Sequence, residues 1–136
     1  MKVIYVDIDE TICNRESSTD FGVVHDYTKA EPIQENIDKI NKLYDEGNTI
    51  VYWTARGSRK QIDWTNLTQQ QLSDWGCKYH ELRADKPFYD LFIEDKSLRI
   101  EEVWESYLTE ATFGDVSLVE RMLLVILIVL SAMVMM

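Results

Sequence analysis

The stretch Lys2-Val3-Ile4-Tyr5-Val6-Asp7-Ile8-Asp9-Glu10-Thr11 decides how the rest of the chain is read. Residues 2–6 are β-branched and apolar without alternation, the pattern of a central parallel strand covered on both faces. Two carboxylates follow at i and i+2. If the strand stayed regular they would point the same way and could share a metal or divide nucleophilic and acid/base work.

Working outward, residues 12–30 are mixed and polar and read as a loop or small flap. Pro32 sits where a helix should start, and Ile33, Ile37, Ile40, Leu43 and Tyr44 follow at helical spacing up to Gly47. Thr49-Ile50-Val51-Tyr52-Trp53 is a second buried strand. A helix with a weaker apolar stripe (Ile62, Leu67, Leu72, Trp75) is expected from about Arg59 to Trp75. Tyr79–Arg83 reads as a third strand and Leu91-Phe92-Ile93 as a fourth. Ile100, Val103, Trp104, Tyr107 and Leu108 give the clearest helical stripe. This alternation predicts an α/β sandwich with a mostly parallel sheet.

In such sheets ligands bind beyond the carboxyl ends of the strands. Each expected strand end delivers polar groups: Asp7 and Asp9, then Thr54 and Arg56, then Asp85 and Lys86, then Glu94 and Asp95. One such end is usually only solvated; four on one rim are hard to dismiss. Crowded carboxylates repel, and a divalent cation offsets that repulsion. An all-oxygen donor set without His or Cys suits magnesium rather than zinc. Thr54 offers a hydroxyl, and the Ala55-Arg56-Gly57 turn offers backbone N–H groups to a phosphate at a helix start. Arg56 could bind a second anionic group. Lys86 is a point charge able to hold both a phosphate oxygen and a carboxylate.

The order of these pieces resembles the haloacid dehalogenase (HAD) superfamily. Asp7-Ile8-Asp9-Glu10-Thr11 is similar to its first motif, Val51-Tyr52-Trp53-Thr54 to its second, Lys86-Pro87 with Tyr89-Asp90 to its third, and Phe92-Ile93-Glu94-Asp95 to its fourth. The likeness covers roughly residues 1–108 and is nearest to short, nearly capless members found with bacterial polysaccharide biosynthesis. It implies a HAD-like Rossmannoid three-layer sandwich with a minimal flap instead of a cap domain. It also implies a magnesium-dependent phosphomonoester hydrolase. Asp7 would be the nucleophile that becomes an aspartyl-phosphate, and Asp9 the acid and then the base. Magnesium would be held by the Asp7 carboxylate, the Asp9 backbone carbonyl and Asp95, with Glu94 supporting or replacing Asp95. Thr54 and Lys86 would neutralise the transferring phosphoryl group. A small sugar phosphate is the expected substrate, with a nucleotide as the alternative. The family often has glycine where Glu10 stands. Only about 20 residues (12–31) separate the first motif from its helix, too few for a large cap.

Rival readings are a receiver-type phosphoacceptor domain, a catalytically dead relative acting as a binding module, and a phosphotransferase or mutase on the same scaffold. Receivers place an adjacent acidic pair after the first strand, whereas here the adjacent pair comes last. The set Asp7, Asp9, Thr54, Lys86 and Asp95 argues against a dead relative. Water and a hydroxyl acceptor are not separable from sequence.

The chain has 136 residues and a formal charge of −10, which repels a nucleic-acid backbone. Cys13 and Cys77 have neither metal-ligand nor disulfide-framework spacing, so a reducing, cytoplasmic setting is expected. Cys13 reads as a packing residue. His25 and His80 read as surface or satisfied histidines, with His25 the better placed for substrate. The catalytic domain is expected to span 1–110. Residues 111–136 would form a linker and a hydrophobic tail, whose only polar residue after Met122 is Ser131. As a helix, 122–136 would reach roughly 22 Å, short of a hydrocarbon core of about 30 Å. A short tail anchor, a buried helix packed on the domain or on a second subunit, and an unnatural or truncated end are the competing readings of that tail.

Overall fold

The computed structural model describes residues 1–15, 26–58, 62–103 and 118–134. It divides into two compact units, Met1–Asp95 and Lys96–Met136, each described here by itself. The domain boundary expected near residue 110 lies outside the described residues, as do His25, Trp104, Tyr107 and Leu108.

The first unit is built on a three-stranded parallel sheet. Strand β1 (Val3–Val6) pairs with β4 (Thr49–Trp53), which pairs with β5 (Glu81–Arg83). The two parallel connections carry helices α1 (Gln34–Asp45) and α2 (Thr65–Asp74), the arrangement that parallel pairing demands. Two short strands, β2 (Cys13–Asn14) and β3 (Glu31–Pro32), pair antiparallel and bring together the two ends of the flap. The architecture is α/β and Rossmann-like.

Strand β4 is central because both its faces are apolar: Ile50, Val51 and Tyr52 are buried. Helix α1 lays Ile37 and Ile40 into the core, and Gly47 takes a positive φ of 96° just beyond its end. Ile8, Ile12 and Cys13 are fully buried beneath the turn that follows β1. Fully burying an isoleucine side chain stabilises by roughly 1.5–3 kcal/mol, so the turn is anchored by its apolar members.

Three expectations are corrected. The helix does not start at Pro32, because Pro32 pairs with Cys13 and the Ile33 N–H is taken by the Ile12 carbonyl at 2.9 Å. Helical hydrogen bonding begins only beyond that point. Leu91-Phe92-Ile93 is not a strand; the three side chains are exposed within this unit, Ile93 to 86%. A three-residue apolar run has no strand character without a ladder partner, and none pairs with it among the described residues. In consequence β1 is an edge strand of the described sheet rather than a strand covered on both faces, and Val3 and Tyr5 are exposed.

Helix α2 explains its own weak apolar stripe. Its buried residues are Leu72 and two polar ones, Thr68 and Gln71. In the second unit, residues 100–103 are helical and α3 runs from Leu118 to Val134. Among the described residues no helix is long and apolar enough to cross a membrane.

Candidate active site

The turn after β1 leaves the strand direction at once. Thr11 N–H and Ile12 N–H both return to the Ile8 carbonyl, at 3.2 and 2.9 Å, and Glu10 N–H reaches the Cys13 carbonyl at 2.8 Å. Closing this turn puts Glu10 at φ +63°, in the left-handed region where glycine is favoured. The Glu10 side chain offsets part of that strain by accepting from the Arg15 N–H at 2.9 Å. Glu10 therefore holds a backbone conformation that glycine would adopt without strain.

Asp7 sits at the mouth of this turn. Its Oδ1 lies 3.2 Å from the Lys86 ammonium, and its Oδ2 accepts from the Thr11 hydroxyl at 3.3 Å. Lys86 arrives there because the chain beyond β5 stays in register with the chain beyond β4. Thr54 N–H donates to the Arg83 carbonyl at 2.9 Å and Lys86 N–H to the Thr54 carbonyl at 3.2 Å. Three strand ends thus bring a carboxylate, a hydroxyl and an ammonium to one rim. Thr54 is buried, and its hydroxyl oxygen accepts from the Arg56 N–H at 3.1 Å, which leaves its hydrogen to give.

Lys86 is flanked by aromatic rings, its ammonium 5.5 Å from the centroids of both Trp53 and Tyr89. Burial alone would lower its pKa. The Asp7 charge, with help from the Tyr89 hydroxyl, outweighs that and raises it. The ammonium therefore stays charged across the neutral range.

Asp9 is held quite differently. The Arg56 guanidinium grips it with two bonds, Nε to Oδ2 at 2.9 Å and Nη2 to Oδ1 at 2.8 Å. Arg56 is only 4% exposed, and Nη1 donates to Thr68 Oγ1 at 3.1 Å and Gln71 Oε1 at 2.6 Å. These are the polar groups on the buried face of α2. The ring of Tyr27, 4.7 Å from the guanidinium carbon, covers the cluster, and Gln71 in turn donates to the Tyr27 carbonyl at 2.6 Å. Burial opposes the guanidinium charge, but the hydrogen bonds and charge of Asp9 prevail and raise its pKa. Arg56 was expected to meet a substrate anion; its side chain instead faces Asp9 and α2. Sequence spacing carries no sign of this pair, since 47 positions separate the partners. The one available signal was the unexplained Thr68 and Gln71 on the inner face of an otherwise amphipathic helix.

Cys13 lies under the same cluster, its Sγ 3.5 Å from Asp9 Oδ1 and 3.7 Å from Arg56 Nη2. Burial, then the Asp9 charge, pushes its thiol up to about 12. His80 is a satisfied structural histidine: Nδ1 accepts from the Ile50 N–H at 3.0 Å, and the ring stacks on Tyr44 at 4.7 Å.

Glu94 and Asp95 are exposed and lie beyond the segment that does not join the sheet. Among the described residues, no three His, Cys, Asp or Glu side chains are grouped to hold a metal ion. The Asp7-Ile8-Asp9 turn carries oxygen donors of the kind a hard cation takes.

No protein-family model and no curated protein matches this chain. Its fold is similar to that of a solved structure, a structural-genomics target from Vibrio cholerae. The TM-score is 0.64 at 22% identity over 91% of this chain and 96% of the other, a likeness of fold alone.

Proposed function

We propose that this chain is a phosphomonoester hydrolase of the HAD type, with Asp7 as its nucleophile. The observation that carries the reading is the Asp7–Lys86 contact of 3.2 Å at the strand ends, beside the buried Thr54 hydroxyl. A carboxylate can attack phosphorus only where its repulsion for the phosphoryl oxygens is neutralised, and Lys86 and Thr54 are the groups able to do this.

In the proposed reaction, an Asp7 carboxylate oxygen bonds to phosphorus as the phosphorus–oxygen ester bond breaks. Asp9 gives its proton to the leaving oxygen. It then takes one from the water that attacks phosphorus, and the bond from Asp7 to phosphorus breaks. Magnesium would be held by the Asp7 carboxylate and the Asp9 carbonyl, an oxygen set that fits an ion content to keep several waters. When bound it would supply charge neutralisation at the phosphoryl oxygens. Asp95, or Glu94, would be a third ligand if the 91–95 segment comes to the rim. A sugar phosphate is the proposed substrate, in keeping with a flap too short to enclose a large molecule.

The test is turnover against a panel of sugar, nucleotide and aryl phosphates, with and without magnesium, for the chain and for Asp7→Asn. Turnover lost in Asp7→Asn supports the nucleophile. Equal turnover in both, or none on any ester, refutes the reading.

A further inference from the structure

The proposed chemistry leaves one buried charge unused. Arg56 has five N–H donors in a rigid fork, and all five face described acceptors. Nε and one Nη2 hydrogen go to Asp9, the Nη1 pair to Thr68 and Gln71, and the last toward the Cys13 sulfur. No donor remains for a substrate.

The grip also constrains Asp9. A carboxylate has about four lone-pair sites. The fork takes one on each oxygen, and the Cys13 thiol lies against Oδ1 at 3.5 Å. The Asp9 side chain is 16% exposed against 1% for Arg56, so the carboxylate keeps some contact with solvent while the guanidinium has almost none. Of its two oxygens, Oδ2 is the less engaged among the described contacts.

We infer that Arg56 is a positioning residue, whose two-bond fork fixes the orientation of the Asp9 carboxylate for its acid and base work. The inference rests on the phosphohydrolase reading. The carboxylate so held delivers the proton to the ester oxygen as the ester bond breaks, and receives one from water as the aspartyl-phosphate is hydrolysed. Thr68 and Gln71 hold the fork, so α2 sets the angle of an acid carried on the turn after β1.

The experiment compares turnover of an alkyl phosphate, whose leaving oxygen needs a proton, with that of p-nitrophenyl phosphate, which needs little. Arg56→Lys keeps the charge and loses the fork. It should lower kcat on the alkyl ester by roughly 100-fold, within the usual range for a displaced general acid, and on the aryl ester by far less, with KM little changed. In an Asp9→Asn background the same substitution should cost little more, because the two residues act as one unit. Gln71→Met leaves the Asp9 pair in place and should show the same bias at smaller size, even if Arg56→Lys proves too unstable to assay. Equal loss on both esters, full additivity with Asp9→Asn, or a raised KM at unchanged kcat overturns the inference. A chain without Asp7-dependent turnover overturns the phosphohydrolase reading and this inference with it. Asp7-dependent turnover with an unbiased loss overturns this inference alone.

Discussion

Arg56→Met removes a buried charge from a closed cluster, and its cost follows from the contacts. Four hydrogen bonds shorter than 3.2 Å disappear. Breaking a buried ion pair by deleting one partner costs about 3–5 kcal/mol, because the other charge is left uncompensated. Asp9 is the group left behind, and its side chain is 16% exposed, so water can recover part of the loss. The lower end of that range, about 3 kcal/mol, is therefore expected. For a unit of about this size, each kcal/mol shifts Tm by roughly 4–8 °C, giving a drop of about 12 °C or more. Thermal and urea unfolding followed by circular dichroism would measure it. The double variant Asp9→Leu with Arg56→Met should recover much of the loss, since an apolar pair leaves no orphaned charge. A loss below about 1 kcal/mol for Arg56→Met would mean that the guanidinium is solvated and the cluster does not form.

Other outcomes can be checked directly. Cys13, its thiol pushed up to about 12 by burial and by Asp9, should resist a thiol-specific alkylating reagent at pH 8 in the folded chain and react once unfolded. Because the folded value is raised, the associated stability is fully present below the unfolded thiol range. It should fade as pH rises from about 9 toward 12, as pH-dependent urea unfolding of the chain and of Cys13→Ala would show. Glu10→Gly should be more stable than Glu10→Val by about 2 kcal/mol, as a β-branched residue at φ +63° is strained; equal stability would deny the left-handed turn. Chelator should abolish turnover and magnesium restore it, with calcium supporting little, and unchanged turnover in chelator would exclude the metal role. A chain ending at residue 112 should stay folded, remain active and associate less than the full chain; loss of fold by circular dichroism would make the tail part of the core.

The legible parts of the fold were those in which local pattern and tertiary burial agree. Thr49–Trp53 is an unbroken apolar run, and it is the strand buried on both faces. Ile37 and Ile40 marked the inner face of α1 by spacing alone. Val3 and Tyr5 were misread because an apolar composition does not say how many neighbours a strand will have. Leu91-Phe92-Ile93 was misread because an apolar run becomes a strand only where a neighbour offers a ladder, and none pairs with it among the described residues. At the rim, Asp7 and Lys86 could be nominated from their places after strands. The Arg56–Asp9 grip could not, for it depends on where α2 presents Thr68 and Gln71.

The pairing of Cys13–Asn14 with Glu31–Pro32 ties the two ends of the flap together at its base. The segment between those ends is an insert tied at its base, and Tyr27 within it lies against the Arg56 guanidinium. Lengthening such an insert is thermodynamically inexpensive, since each doubling of a flexible loop adds only about 0.6 kcal/mol of closure cost. The base of the flap is therefore a docking port for new sequence. Segments of different length and chemistry could be exchanged there while the turn that carries Asp7 and Asp9 keeps its buried anchors, Ile8, Ile12 and Cys13.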